Sequence, residues 1–185
     1  MKVILIAFFF VFNFVFAQDE KCKEALNNSL KMEQCCKMPH MIEESDILET
    51  AKKLEKKYQN NPGLMACMLN QELLKKIGLE NLDREPCKNF AMKVTKEPWT
   101  TIVINAEETC NKKLSKYIQL IQPIYNVTSD QCDLKYGAFV NCIHITIFGK
   151  CPTESFTASP KCDNSKYVVN ECEDDEVFLK YLNQQ

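Results

Sequence analysis

Eleven cysteines in a chain of 185 residues constrain this fold more than any other feature. They stand at 22, 35, 36, 67, 87, 110, 132, 142, 151, 162 and 172, all downstream of an apolar leader. That leader, MKVILIAFFFVFNFVFA, joins one lysine to a long apolar run and ends in Val15-x-Ala17 before polar Gln18. It has the pattern of a secretory signal peptide over residues 1–17, cleaved after Ala17. A membrane-spanning helix needs about 20 apolar residues; this run stops short and has no basic flank behind it. No later segment is apolar enough to span, so no membrane insertion is expected. A secreted chain folds in an oxidising compartment, where cysteines pair. The odd count leaves one thiol free, or paired between chains in a homodimer. Each bridge contributes about 2–4 kcal/mol, against a total stability of about 5–15 kcal/mol for an ordinary domain. The fold is therefore expected to depend on oxidation.

Charge excludes one class of partner. Of the 23 basic residues only Lys2 lies in the leader, which leaves 22 against 25 acidic ones in residues 18–185. A mildly acidic chain without a basic cluster lacks the electrostatic footprint of nucleic-acid binding. Its Lys and Glu residues are interspersed, as on solvated helix faces. Two sequons, Asn27-Asn28-Ser29 and Asn126-Val127-Thr128, fit the secretory route and make Asn27 and Asn126 the glycosylation candidates.

Periodicity reads as helices with short breaks. In EESDILETAKKLEKKYQNNPG, Asp46 and Glu49 are spaced as a capping box, Ile47, Leu48, Ala51, Leu54 and Tyr58 follow at helical spacing, and Asn60 to Gly63 stop the run. LMACMLNQELLKKIG carries Leu64, Met65, Met68, Leu69, Leu73 and Ile77 on one broad apolar face and ends at Gly78. A shorter helix is expected after Pro86, through Phe90. Pro98 suits a first helical turn ahead of Trp99, Val103, Cys110, Tyr117 and Ile121, with Pro123 marking the next loop. Leu134 to Gly149 reads as a largely buried helix, and its β-branched run FVNCIHITIF makes a strand the rival assignment. Residues 152–172 are turn-rich and expected to be irregular but stapled. DDEVFLKYL is a last short helix, with acids where the helix dipole favours them. The expected fold is a single all-α domain of about five to seven short helices over residues 18–185, with 152–185 a stapled C-terminal extension.

No reaction chemistry emerges. Structural zinc sites use closely spaced Cys pairs; here no Cys-x-x-Cys occurs, and His40 and His144 are far apart. Cys35-Cys36-Lys37-Met38-Pro39-His40 approaches the Cys-Cys-x-x-His of secreted phospholipases A2. Its His is one position late, a Pro precedes it, no Asp follows and no Gly-rich calcium loop leads in. Cys142 and His144 are two apart and fall on different helix faces, which places His144 in or at the edge of the core. Nucleophile-elbow, P-loop and dinucleotide glycine patterns are missing. The chain reads as a non-enzyme without cofactor. What remains is binding: cross-linked short helices can hold a shell open around an apolar cavity, the usual character of a small-molecule site.

The cysteine spacing carries a resemblance. From Cys67 the order is Cys67-x42-Cys110-x21-Cys132-x9-Cys142-x8-Cys151-Pro152-x9-Cys162, with Cys35-Cys36 upstream. This resembles the Plus-C subgroup of insect odorant-binding proteins from about Cys22 to Cys172. The resemblance implies a helical fold around an apolar pocket that carries small hydrophobic molecules such as odorants or pheromones, with a chemosensory receptor as a further partner. It also implies a pairing scheme in which Cys36 (or Cys35) joins Cys67, and Cys110 joins Cys151. The family has Cys-x3-Cys on the helix holding Cys67, and here either Gly63 or Gln71 occupies the lost position. With Gly63 as that position, Cys142 loses its partner and becomes the free-thiol candidate.

The ligand-binding candidates are the inward apolar residues Leu69, Leu73, Phe90, Trp99, Val103, Phe139, Ile143 and Ile147. Tyr117 and Tyr136 could offer a hydroxyl to orient a polar group. His144 adds one group that titrates near physiological pH. The competing class is a secreted interaction protein of salivary or venom type without a small-molecule cavity. In that class TESFTASPK (Thr153–Lys161) would serve as an exposed reactive loop between staples.

Overall fold

The computed structural model describes residues 20–79, 97–172 and 176–184. The leader, Cys87, and the short helix expected after Pro86 with its Phe90 lie outside the described residues. The architecture is all-helical, as the punctuated pattern implies, and the described residues contain no strand beyond an isolated antiparallel bridge between Cys36 and Phe156. No described helix is long and apolar enough to cross a membrane. The described residues divide into two compact units, one formed by those up to Lys37 with those from Thr153 onward, the other by those between Met38 and Pro152.

The first unit contains α1 (20–27), α2 (Met32–Cys35), α7 (Pro160–Glu171) and α8 (Glu176–Leu182). Two disulfides join its two chain segments. Cys22 pairs with Cys172 and Cys35 with Cys162, with Cα–Cα distances of 5.9 and 5.3 Å. Between them Ser165, fully buried, holds the Leu30 backbone from both sides. Its Oγ accepts the Leu30 N–H at 2.8 Å and donates to the Leu30 carbonyl at 2.8 Å. The Tyr181 hydroxyl donates to the same carbonyl at 3.1 Å, and burial pushes its pKa up to about 12.

Two expectations for this unit are corrected. Residues 152–172 are not irregular throughout, because α7 spans Pro160–Glu171. The Ser159 side chain accepts the Cys162 N–H at 3.2 Å and Pro160 occupies the first turn, so a stretch that reads as a turn is a helix start. Nor is Thr153–Lys161 a detached loop. The Lys37 N–H donates to the Ser155 carbonyl at 2.9 Å and the Thr157 N–H to the Cys35 carbonyl at 2.8 Å, so its backbone is paired where a reactive loop would offer it.

The second unit contains α3 (Glu44–Tyr58), α4 (Pro62–Lys76), α5 (Trp99–Tyr125) and α6 (Leu134–Gly149). Helix α3 begins two residues before the expected capping box, with Glu43 as its N-cap. Asp46 and Glu49 sit on one face of its first turns and bind Lys76 of α4, at 2.7 and 3.3 Å. The spacing that mimics a cap is the spacing that gathers two carboxylates around one ammonium. The apolar face expected for α3 is also mostly outside: Ile47 and Leu48 are exposed, and only Leu54 is buried.

Helix α4 starts two residues before the expected stretch, so Pro62 and Gly63, read as part of the stop of α3, form its first turn. The Asn61 side chain accepts the Leu64 N–H at 3.0 Å and Pro62 follows in the first turn. Helix α5 runs through Pro123 instead of ending there. A proline removes one N–H, and so close to the C-terminus the helix needs only two more residues before Asn126 takes a left-handed conformation, φ 50°. Helix α6 is buried along most of its length and packs against both α4 and α5. That setting explains its near-continuous apolar sequence, which otherwise suits a buried strand. Its N-cap is Asp133, whose side chain accepts the Lys135 N–H at 3.0 Å.

Candidate functional site

The interior of the second unit is built by α4, α5 and α6. Leu69 and Leu73 lie on α4, Trp99, Val103 and Tyr117 on α5, and Tyr136, Phe139, Ile143 and Ile147 on α6. Leu69 is partly covered and the other eight are buried, so three mutually packed helices carry all the described ligand candidates. Phe90 lies outside the described residues.

Two disulfides cross-link this interior. Cys67 of α4 pairs with Cys132 at the entrance to α6, Cα–Cα 6.3 Å, and Cys110 of α5 pairs with Cys142 in the middle of α6, Cα–Cα 5.7 Å. The implied scheme is corrected at each point it touches. Cys67 is not joined to Cys36 or Cys35, Cys110 is not joined to Cys151, and Cys142 is not a free thiol. Cys36 and Cys151 are disulfide-bonded as well, so the ten cysteines among the described residues are all bonded. The physical reason is reach. Cys142 and Cys151 are nine residues apart, about 13 Å along a helix, and α6 brings the middle of its length, not its end, against Cys110. Cysteines separated in this way serve different neighbours, as Cys132 and Cys142 do here with α4 and α5.

The two positions offered for the lost cysteine have different surroundings. A Cβ at Gly63 would overlap the Tyr125 carbonyl oxygen, so a side chain there requires α4 and the end of α5 to move apart. Gln71, one turn beyond Cys67, faces the Cys132 region: its side-chain oxygen accepts the Asp133 N–H at 3.4 Å.

A polar cluster that periodicity does not reveal fastens the same three helices. Tyr125, at the end of α5, receives hydrogen bonds on its hydroxyl from Asn70 of α4 at 2.9 Å and Asn141 of α6 at 3.4 Å. Asn141 also donates to the Gly137 carbonyl at 2.8 Å. Gly137 is the packing partner of the Tyr125 ring, since a Cβ there would come within 2.9 Å of Cε2. Burial raises the Tyr125 pKa, so the phenol stays neutral and available as an acceptor. Gly137 and Asn141, four apart on α6, are the local part of the cluster, and nothing local points to Asn70 or Tyr125. Changing Tyr125 to Phe should leave the Asn70 and Asn141 donors without this acceptor and cost about 1–3 kcal/mol. Thermal unfolding measures it, and an unchanged midpoint would contradict the assignment.

His144 departs from expectation, because on buried α6 it is exposed. Its pKa nevertheless lies below the ordinary value through desolvation. Asn27 and Asn126 are both exposed, Asn126 at the left-handed end of α5.

No protein-family model matches the chain, and no solved structure matches it. Among curated proteins, the chain is 22% identical over 147 residues to General odorant-binding protein 68 of Anopheles gambiae, an alignment covering 76% of this chain and 69% of that protein. This distant likeness supports an insect odorant-binding-protein-like family.

Proposed function

We propose that this chain is a secreted, non-enzymatic carrier of small hydrophobic molecules, and we read its cysteine pattern as that of the Plus-C odorant-binding subgroup. The observation that carries the reading is the likeness to an odorant-binding protein over 76% of the chain. The extent of disulfide bonding agrees with an oxidising, extracellular setting. In this reading residues 1–17 are removed on secretion, residues 152–185 form a stapled extension, and the ligand lies among α4, α5 and α6. Leu73, Val103, Phe139, Ile143 and Ile147 supply the apolar wall. Tyr117 and Tyr136 are the hydroxyls that orient a polar ligand group. Delivery to a chemosensory receptor is the downstream step this function implies.

The test is displacement of an environment-sensitive naphthylamine dye from the oxidised, secreted chain by a panel of fatty, terpenoid and aromatic volatiles. Saturation near one dye per chain, with competition that differs between volatiles, is the expected result. A folded, helical, oxidised sample that binds no dye overturns the reading.

A further inference from the structure

A groove lies apart from the buried residues of α4, α5 and α6 named above. Helices α3 and α4 run as a hairpin, and one face of each borders a groove of about 590 Å³. That volume lies within the range of about 300–1,000 Å³ typical of small-molecule sites. Its apolar surface comes from Leu54 and Tyr58 of α3 and Met68 of α4, and its rim is charged.

The balance of that rim is informative. Lys76 is neutralised by Asp46 and Glu49, at 2.7 and 3.3 Å. Lys57 lies 5.0 Å from the centre of the Tyr58 ring and within electrostatic reach of Glu72. The two acids that line the groove, Glu49 and Glu72, are thus both opposed by lysines. Lys53 of α3 and Lys75 of α4 line the same groove and have no ion-pair partner among the described residues. Two uncompensated ammonium groups on opposite walls of a partly apolar groove form a recognisable acceptor. An acyl or alkyl chain lies against Leu54, Tyr58 and Met68, and an anionic head is held between Lys53 and Lys75.

We propose that the α3–α4 groove is a binding site for an amphipathic anion, a medium-chain carboxylate or sulfate, held by Lys53 and Lys75 over Leu54, Tyr58 and Met68. The site is separate from the interior proposed above for neutral apolar ligands, and neither proposal depends on the other. A neutral alcohol of equal length has the chain without the head. A quaternary ammonium of equal length has the wrong sign.

The experiment is an amide-resolved NMR titration of the ¹⁵N-labelled oxidised chain with decanoate, 1-decanol and decyltrimethylammonium, each below its micelle concentration. Decanoate should shift the amides of Leu54, Tyr58 and Met68 saturably, and the cation should not. The double variant Lys53→Gln, Lys75→Gln should bind decanoate at this groove about tenfold more weakly, each ammonium contributing a factor of roughly three. Both lysines lie outside the core, so the variant keeps its fold, and its unshifted spectrum elsewhere verifies that. Unmoved α3 and α4 amides, equal decanoate affinity in the variant, or equal shifts from the cation would each overturn the proposal. Decanoate shifts confined to α5 and α6 would overturn it as well while leaving the carrier reading standing.

Discussion

Replacing Cys110 and Cys142 together with serine should lower the unfolding free energy by about 4 kcal/mol, the chain-entropy value for a loop of this size. The pair is 32 residues apart in sequence and both members are fully buried. The cost has two sources. The unfolded chain regains the freedom of a loop that contains the end of α5 and the start of α6. Two serine hydroxyls then replace apolar sulfur in a packed interior. Urea unfolding followed by circular dichroism, without reductant, measures the change, and a midpoint lower by about 2 M is expected for an ordinary slope. A loss below about 1 kcal/mol would mean that the bridge does not constrain the unfolded chain as the entropic account requires. The same measurement separates the observed pairing from the implied one. If Cys142 were the free thiol, Cys142→Ser alone would be nearly silent and the wild-type chain would show this residue reactive to a thiol reagent.

Gly63→Ala should be almost as damaging through one methyl group. The added Cβ falls onto the Tyr125 carbonyl oxygen, which is backbone and cannot swing aside. Overpacking of this kind costs about 1–3 kcal/mol, and occasionally more; here the upper end is expected because α4 must move away from the end of α5. Gly78→Ala is the contrast. That residue has φ 86° with nothing within 4 Å of an added Cβ, so the cost is left-handed strain alone, about 1 kcal/mol. Thermal melts of the two variants should therefore order as Gly63→Ala well below Gly78→Ala. Equal midpoints would contradict the close approach of α4 to the end of α5.

The helices were legible where local chemistry and tertiary packing agree. Gly78 follows the end of α4, and the apolar run of α6 marks a helix buried on most sides. Elsewhere local signals compete. Asp46 and Glu49 have the spacing of a cap but serve Lys76 instead, a choice made by where α4 lies and not by α3 itself. Pro123 reads as a stop, yet a proline two residues from a helix end removes little. Ser159-Pro160 is a helix start written in turn residues, and the apolar signal behind it is thin because α7 buries Cys162, Ser165, Val168 and Val169.

The candidate site was legible only in part. That Leu73, Val103, Phe139, Ile143 and Ile147 are inward follows from periodicity, and all five are buried. The Tyr125, Asn70 and Asn141 cluster brings together residues 70, 125 and 141, and no local pattern encodes such a meeting. Disulfide partners are equally non-local. Spacing names no partners, and only the packing of α6 on α4 and α5 decides that Cys132 meets Cys67 and Cys142 meets Cys110. His144 shows the same gap between helical position and environment, since its place on a buried helix suggested core or its edge and the residue is exposed.

The central claim is that a small apolar molecule leaves water and enters the helical interior of the oxidised chain. Isothermal calorimetry with a neutral terpenoid, repeated at several temperatures, tests it most directly. The account predicts one site per chain and a binding heat that grows more negative on warming, the negative heat-capacity change that marks burial of apolar surface. No saturable heat at any temperature, from a sample shown to be helical and oxidised, would contradict it.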